Sequence, residues 1–467
     1  MSTSGRKYGR KKSIDWITLS IYMSLLVIGW MMLYAVSYNP ENIYSFLDFS
    51  TIIGKQSMWV VVSLVVMIAM LTIDWKVWNT FAYPIYLISM VSLILVLLLG
   101  TEIKGAKSWF TFSGVGLQPS EFAKFATAIA ISSYLSYYKS SVKSIKGFLI
   151  TSCLALAPMI LIIIQPDPGS ALTFSFFLFL LYRRGMSEVY FILGFSLIAI
   201  FILSMLYGSM IISIDAILIG LLILIFNLPN QNIRNSLLFV VGIFLMTFLL
   251  YRINPYYGLA LSTASFLLYI FLHIRARAFR MATLVGGGVL LSVIFGMGST
   301  FVVEGLLKPH QQARIYSWLR PDLVDSDNLY NLEQSKMAIG SGGFQGKGFL
   351  NGTMTKLNYV PEQTTDFIFS TVGEEQGFVG ALGVILLFTL LLIRITVIAE
   401  RAKSPFIQNY AYCIAGIFFI HVFINIGMSM GLMPVIGIPL PFLSKGGSAL
   451  IGFTLMIGVL LKMDLEK

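Results

Sequence analysis

Apolar runs of close to 20 residues recur along almost the whole chain, and that recurrence decides what it can fold into. A helix needs about 20 apolar residues to cross a bilayer. Candidate spans lie near residues 16–37, 57–73, 80–99, 121–138, 147–165, 169–183, 188–206, 207–229, 234–252, 255–273, 278–300, 367–393, 406–430 and 446–462. Only Tyr207, Gly208 and Ser209 divide the seventh from the eighth. Just 11% of the 467 residues are charged, against about 25% in soluble chains, which is too few to coat a globule of this size. The expected fold is an all-α polytopic membrane protein with about fourteen transmembrane helices.

The charge of +11 is placed for a membrane and not for nucleic acid. Arg6, Lys7, Arg10, Lys11 and Lys12 form a basic tail over residues 1–14, directly before the first span. Basic flanks stay in the cytoplasm. The 16–37 run is too long for a signal-peptide core and no small-residue cleavage site follows, so it is expected to stay as an anchor. With the N-terminus inside, the alternate connections hold Lys76; Lys139, Lys143 and Lys146; Arg183 and Arg184; Arg234; Arg275, Arg277 and Arg280; Arg394, Arg401 and Lys403; and Lys462 and Lys467. Together with the tail these are 20 of 32 basic residues. Both termini are therefore expected on the cytoplasmic side of the membrane. Cys153 and Cys413 lie in apolar runs and His273, His310 and His421 are scattered. Neither a disulfide framework nor a His/Cys metal centre is expected.

One outer connection is long. Residues 301–366 carry six basic and seven acidic side chains, with Ile315, Trp318, Leu319, Phe344, Phe349, Leu357 and Tyr359 as apolar anchors. A loop of this length is functional or disordered, and the anchors favour a folded extracytoplasmic lid. Its run Gly340-Ser-Gly-Gly-Phe-Gln-Gly-Lys-Gly348 is not a nucleotide loop. Ser341 stands where a P-loop needs glycine, and Gly348 where it needs Ser or Thr. A tight turn is the expected role.

Acids mark the candidate chemistry. Asp366 falls where the polar loop becomes the twelfth apolar run, and Glu374 and Glu375 lie about 12 Å further along a helix. Acids within a span usually face a bundle interior or a watery cavity. Helical rotation puts Glu374 about 80° from Asp366 and Glu375 on the opposite side. Asp366 and Glu374 can thus address one cavity, unless Asp366 only caps the helix, a common role for aspartate. Gln118-Pro-Ser-Glu-Phe-Ala-Lys124 opens the fourth span. Its Glu121 and Lys124 can pair on one helix face, as a structural ion pair or as part of a site. Trp109, in the preceding loop, can stack on a sugar or sit in an interfacial aromatic belt. Gln165-Pro-Asp-Pro-Gly169 lies in another outer turn. The three prolines and three glycines of residues 434–448 break the backbone at membrane depth, which is tolerated where it lines a cavity.

The strings Asn358-Tyr-Val-Pro-Glu-Gln-Thr-Thr-Asp-Phe-Ile-Phe369, Gly373-Glu-Glu-Gln-Gly-Phe378, Gln118–Lys124, Gln165-Pro-Asp167 and Ile438-Pro-Leu-Pro-Phe-Leu-Ser-Lys-Gly-Gly-Ser448 closely resemble the SEDS family (shape, elongation, division and sporulation). Residues 346–359 are more similar to its elongation branch than to its division branch. The resemblance implies a peptidoglycan glycosyltransferase that polymerises lipid II at the outer membrane face. It further implies a class B penicillin-binding protein as partner within the elongation machinery. By position, Asp366 matches the family's essential aspartate, Trp109 its outer-loop tryptophan, Glu121 and Lys124 its polar pair, and Arg314 its loop arginine. Thr364 stands where a histidine is common, Lys445 where a tyrosine is usual, and Pro168 and Ser170 alter the Gln-Pro-Asp motif. The family has about ten spans, so a block of four, about residues 207–273, reads as inserted. Its one acid is Asp215, and it is expected to form a peripheral layer.

The chemistry agrees. A carboxylate, Asp366, takes the proton from an attacking sugar hydroxyl. Cations such as Arg314, Lys124 or a bound Mg²⁺ or Mn²⁺ stabilise a leaving pyrophosphate. Glu362 is a second carboxylate within reach in sequence, and Glu374 is a candidate substrate contact. Broken helices and buried acids also describe a lipid flippase or carrier, an alternative that residue physics alone leaves open.

Overall fold

In a bilayer core no water is available for unpaired backbone groups, so apolar segments close their hydrogen bonds internally as helices. The computed structural model describes residues 14–38, 48–103, 105–112, 115–137, 142–227 and 233–466. The basic tail, Lys104, Lys139, Lys467 and the side chain of His310 lie outside the described residues. The chain divides into two units, residues 1–186 with 329–467, and residues 187–328.

The first unit begins with α1 (Trp16–Ser37), α2 (Ile52–Thr72), the short α3 (Trp75–Thr80) and α4 (Ala82–Leu99). Three strands follow, β1 (Thr101–Ile103), β2 (Ala106–Phe112) and β3 (Val115–Leu117), paired antiparallel in that order. They depart from a purely helical expectation: in a connection too polar for lipid, hairpins satisfy the backbone as well as helices do. After them come α5 (Pro119–Tyr137), α6 (Ile145–Ile164), and α7 (Pro168–Thr173) joined by a 3₁₀ turn to α8 (Phe177–Arg183).

The second unit holds α9 (Glu188–Tyr207), α10 (Ser209–Asn227), α11 (Ile233–Ile253), α12 (Pro255–Arg275), α13 (Phe279–Phe301) with a π turn to Leu306, and α14 (Pro309–Leu319). Its core joins Leu221, Leu224 and Ile225 of α10 to Phe266 and Tyr269 of α12 and Val289 of α13. The chain re-enters the first unit along α15 (Ser326–Ser341) and continues with α16 (Thr353–Lys356), α17 (Ile368–Arg401), α18 (Pro405–Ser429) and α19 (Gly447–Leu465). The long polar segment 301–366 is therefore shared between the two units and is not one independent lid.

Twelve helices among the described residues are long and apolar enough to cross a membrane. The other two of the fourteen expected segments are α5, which carries Glu121 and Lys124, and the broken α7–α8 pair. α18 is the buried centre of the first unit, packed between α5 and α17. Helix starts carry the side chains that orphan amides require. Asp15 caps α1 and Thr51 caps α2, while Asn254 precedes Pro255 at the start of α12.

Candidate active site

Asp366 sits in a tight turn before α17. The Glu362 carbonyl accepts from the amides of Thr365 (3.0 Å) and Phe367 (3.3 Å), and Glu362 itself takes a left-handed conformation at φ 59°. Phe367, not Asp366, holds the N-cap position of α17, so the capping role is not where the aspartate lies. Three successive carbonyls of the turn are held by other elements. Thr364 accepts from the Lys445 amide (2.8 Å), Thr365 from the Ser444 hydroxyl (2.6 Å), and Asp366 from the Asn425 amide group (2.9 Å). The half-buried Asp366 carboxylate lies beside Gly437, where an added Cβ would stand 3.3 Å from Oδ2. Gly437 is at φ 77°, a conformation that glycine adopts freely.

The broken segment 434–445 that holds this turn is itself fixed by α18. Asn425 also donates to the Ile438 carbonyl (2.7 Å), and His421, one turn earlier, bonds the Pro439 carbonyl through Nδ1 (3.0 Å). A carbonyl can only accept, so Nδ1 carries the proton and Nε2 is an acceptor. Lys124 Nζ fills it at 2.8 Å and reaches both Glu121 oxygens at 2.8 Å each. Three partners use its three protons. Glu121 and Lys124 are fully buried, so the pair fastens α5 to α18 and has no proton left to donate to a ligand. This corrects the expectation that Lys124 meets the leaving phosphates.

Two further motifs meet here. Gln118 donates to Asp167 (3.0 Å) and Ser170 (3.3 Å), and Asp167 caps α7 through the Ser170 amide. Gly169 packs so tightly on the broken segment that a Cβ would come within 2.7 Å of the Ile436 carbonyl. Trp109 lies on β2 with its ring over Gly116, where a Cβ would be 3.0 Å from Cε3. The Ser448 hydroxyl joins the Gly116 carbonyl to the Gln118 amide. Trp109 is thus tied through β3 to the start of α19.

Glu374 does something other than expected. Its buried carboxylate accepts from Lys347 Nζ (2.6 Å), the Thr353 hydroxyl (3.3 Å), the Met354 amide (2.9 Å) and both the amide (2.8 Å) and hydroxyl (2.7 Å) of Thr355. With these donors on two oxygens, it anchors the 347–355 segment. Helical rotation fails as a guide because Asp366 lies in the turn before α17 and not on the helix, and beyond Glu374 the helix itself breaks at Gly377 (φ 62°). The glycine-rich run fills that break. The Lys347 and Gly348 amides donate to the Glu374 and Glu375 carbonyls, and the Phe378 and Val379 amides donate to the Gly343 and Phe344 carbonyls. Glu375 is fully buried, and neither of its carboxylate oxygens meets a hydrogen-bond partner among the described residues.

Glu362 is exposed and accepts from the Thr365 hydroxyl (3.0 Å). Arg314 is exposed on α14, in the second unit, while Asp366 belongs to the first. The residues missed in the sequence were His421 and Asn425. Their spacing of four, inside an apolar helix, places both on one face and could have identified them.

The family model for "Cell cycle protein" (FTSW_RODA_SPOVE) matches residues 15–223 and 216–467. Peptidoglycan glycosyltransferase RodA of Treponema pallidum is 31% identical over 467 residues, covering 97% of this chain and 97% of that protein. Peptidoglycan glycosyltransferase MrdB of Escherichia coli is 27% identical, covering 98% and 95%. Among solved structures, a chain of a peptidoglycan synthase complex that coordinates polymerization and crosslinking superposes with a TM-score of 0.62 at 22% identity, covering 97% and 98%. The rod shape determining protein RodA of Thermus thermophilus gives 0.56 at 20% identity, covering 97% of each chain. The polytopic helical fold and the motifs from Trp109 to Ser448 thus have one explanation: the chain belongs to the FtsW/RodA/SpoVE family of cell cycle proteins, the SEDS family.

Proposed function

We propose that this chain is a peptidoglycan glycosyltransferase of the elongation type, polymerising lipid II at the outer face of the cytoplasmic membrane with Asp366 as general base. The observation that carries the reading is the three-point fixation of residues 364–366 by Lys445, Ser444 and Asn425, which holds one carboxylate at a broken-helix surface. The family relationship, with relatives that are peptidoglycan glycosyltransferases, supplies the reaction class.

In the proposed step the 4-hydroxyl of the acceptor sugar attacks the anomeric carbon of the donor. Its proton passes to the Asp366 carboxylate, and the anomeric C–O bond breaks with its electron pair leaving on the lipid pyrophosphate. Direct displacement inverts the anomeric carbon. Trp109 offers a ring face to a sugar, and Glu362 lies at the mouth of the turn. Because Lys124 is consumed by Glu121 and His421, charge on the pyrophosphate falls to a divalent cation such as Mg²⁺ or Mn²⁺. Among the described residues no cluster of three or more His, Cys, Asp or Glu side chains could hold a metal ion. Such a cation would bind the substrate phosphates and keep several of its waters. The proposed partner is a class B penicillin-binding protein. The extra helices within residues 207–273 are proposed as a peripheral block.

The test uses the purified chain with labelled lipid II in detergent, where no second compartment exists. Glycan strands on a gel are the expected result. Intact lipid II, with movement of the same lipid across a bilayer by the reconstituted protein, would establish a flippase instead.

A further inference from the structure

The second unit contains a cavity of about 240 Å³ between α10 and α11, lined by Ile214, Asp215, Leu218, Phe244, Thr247 and Tyr251 among others. Asp215 lies six residues from Ser209 and twelve from Asn227, about 9 Å and 18 Å along the helix axis, so it is at membrane depth whichever way the helix runs. Among the described residues it has no hydrogen-bond or salt-bridge partner. A carboxylate there is costly unless something pairs with it. A second, independent group points the same way. Thr247 is 2% exposed, and its hydroxyl has no partner although it lines the cavity.

We propose that this cavity is a lipid site which takes an amphiphile whose head carries a protonated amine. The amine would donate to the Asp215 carboxylate and the Thr247 hydroxyl, while its stem lies against Ile214, Leu218 and Phe244. Charge complementarity selects a cationic donor, since the cavity offers one unpaired acid. The dimensions select a lipid head over a partner helix. The lining covers residues 211–218 and 244–251, about 10 Å of each helix, whereas a crossing helix needs a trough through some 30 Å of hydrocarbon. The outward surface beside it carries the large side chains Ile219, Leu245 and Leu249, with Gly242 as the one small residue among these exposed positions, not the repeated small residues that let membrane helices approach closely.

The test reconstitutes the full chain in vesicles of equal phosphatidylethanolamine and phosphatidylglycerol with matched acyl chains, then measures retained lipid by native mass spectrometry. The parent should retain the ethanolamine lipid over the glycerol lipid by about tenfold, the discrimination of one charged hydrogen bond. Asp215→Leu, which suits a lipid-facing position, should lose that preference, and Thr247→Val should weaken it. Phe244→Trp, which crowds the cavity with Asp215 intact, should also lose it. Equal retention by the parent, an unchanged preference in Asp215→Leu, or a protein helix crosslinked from position 215 would each overturn the assignment. Because lipid retention is read without any polymerisation assay, its failure would leave the Asp366 reading untouched.

Discussion

At the residue scale, the site is built by side chains that hold backbone more than by side chains that face a substrate. Asn425 touches no reacting atom, yet it donates to the Asp366 and Ile438 carbonyls together. Asn425→Ala should lower kcat by about 10–100-fold with KM little changed, because small misplacements cost that much in an oriented site. Steady-state polymerisation on lipid II would check it, and a loss confined to KM would argue against a positioning role. The Glu121–Lys124 pair makes a different prediction. Removing one partner of a buried pair strands the other charge, a cost of about 3–5 kcal/mol. Lys124→Met should therefore be more damaging to thermal stability than the double change Glu121→Gln with Lys124→Met. If the single variant melts like the parent and only activity falls, Lys124 contacts substrate after all.

At the element scale, the break in α17 and the glycine-rich run are one construction. A Cβ at Gly346 would come within 2.2 Å of the Glu375 carbonyl, and one at Gly377 within 2.2 Å of the Gly346 amide nitrogen. Both glycines have positive φ. Alanine at either position should cost about 1–3 kcal/mol from overpacking and strain, read as a lower melting temperature. Gly340→Ala, at a helical position with nothing within 4 Å of its Cβ, should be neutral or stabilising. The sequence showed a turn there but not its purpose. Excluding a P-loop needed only local spacing, whereas docking into a helix break 30 residues later depends on a tertiary contact that local pattern does not encode. Asp366 could be picked out as a candidate because it stands where the polar loop becomes an apolar run. Glu374 was misjudged for the same tertiary reason: its five donors all come from residues 347–355.

At the scale of the molecule, hydropathy carried most of the fold. The long helices follow the apolar runs, while the small sheet, the break at α7–α8, the break in α17 and the helices α14–α16 of the polar segment were hidden. The orientation expected from the basic clusters of alternate connections is tested by reporter fusions: those after Lys146 and Arg280 should read cytoplasmic, and one after Gly348 external. An internal reading at Gly348 would remove Asp366 from the side where the proposed substrate is used. An ionic cluster closes the ends of three helices. Asp15 before α1 accepts from Arg394 (2.8 Å) and Arg401 (3.4 Å), and Arg401 also pairs with Asp464 near the end of α19. Burial opposes the charge on Asp15, but Arg394 and Thr18 outweigh it and hold the carboxyl below its usual range. Its stabilisation is thus present above the ordinary aspartate value of about 3.9 and is lost as pH falls through the lowered folded value. Thermal melting against pH should show an acid loss that Asp15→Asn lacks.

The most direct test of Asp366 as general base is the polymerisation rate of Asp366→Asn on lipid II, beside the parent. Asparagine keeps the shape of the side chain and cannot accept the proton. A general base contributes about 10²–10⁴ in rate, so a well-folded variant with normal expression should yield at least a hundredfold less glycan strand. Near-parental strand formation by Asp366→Asn would contradict the assignment and move the base elsewhere, with exposed Glu362 as the next carboxylate to change.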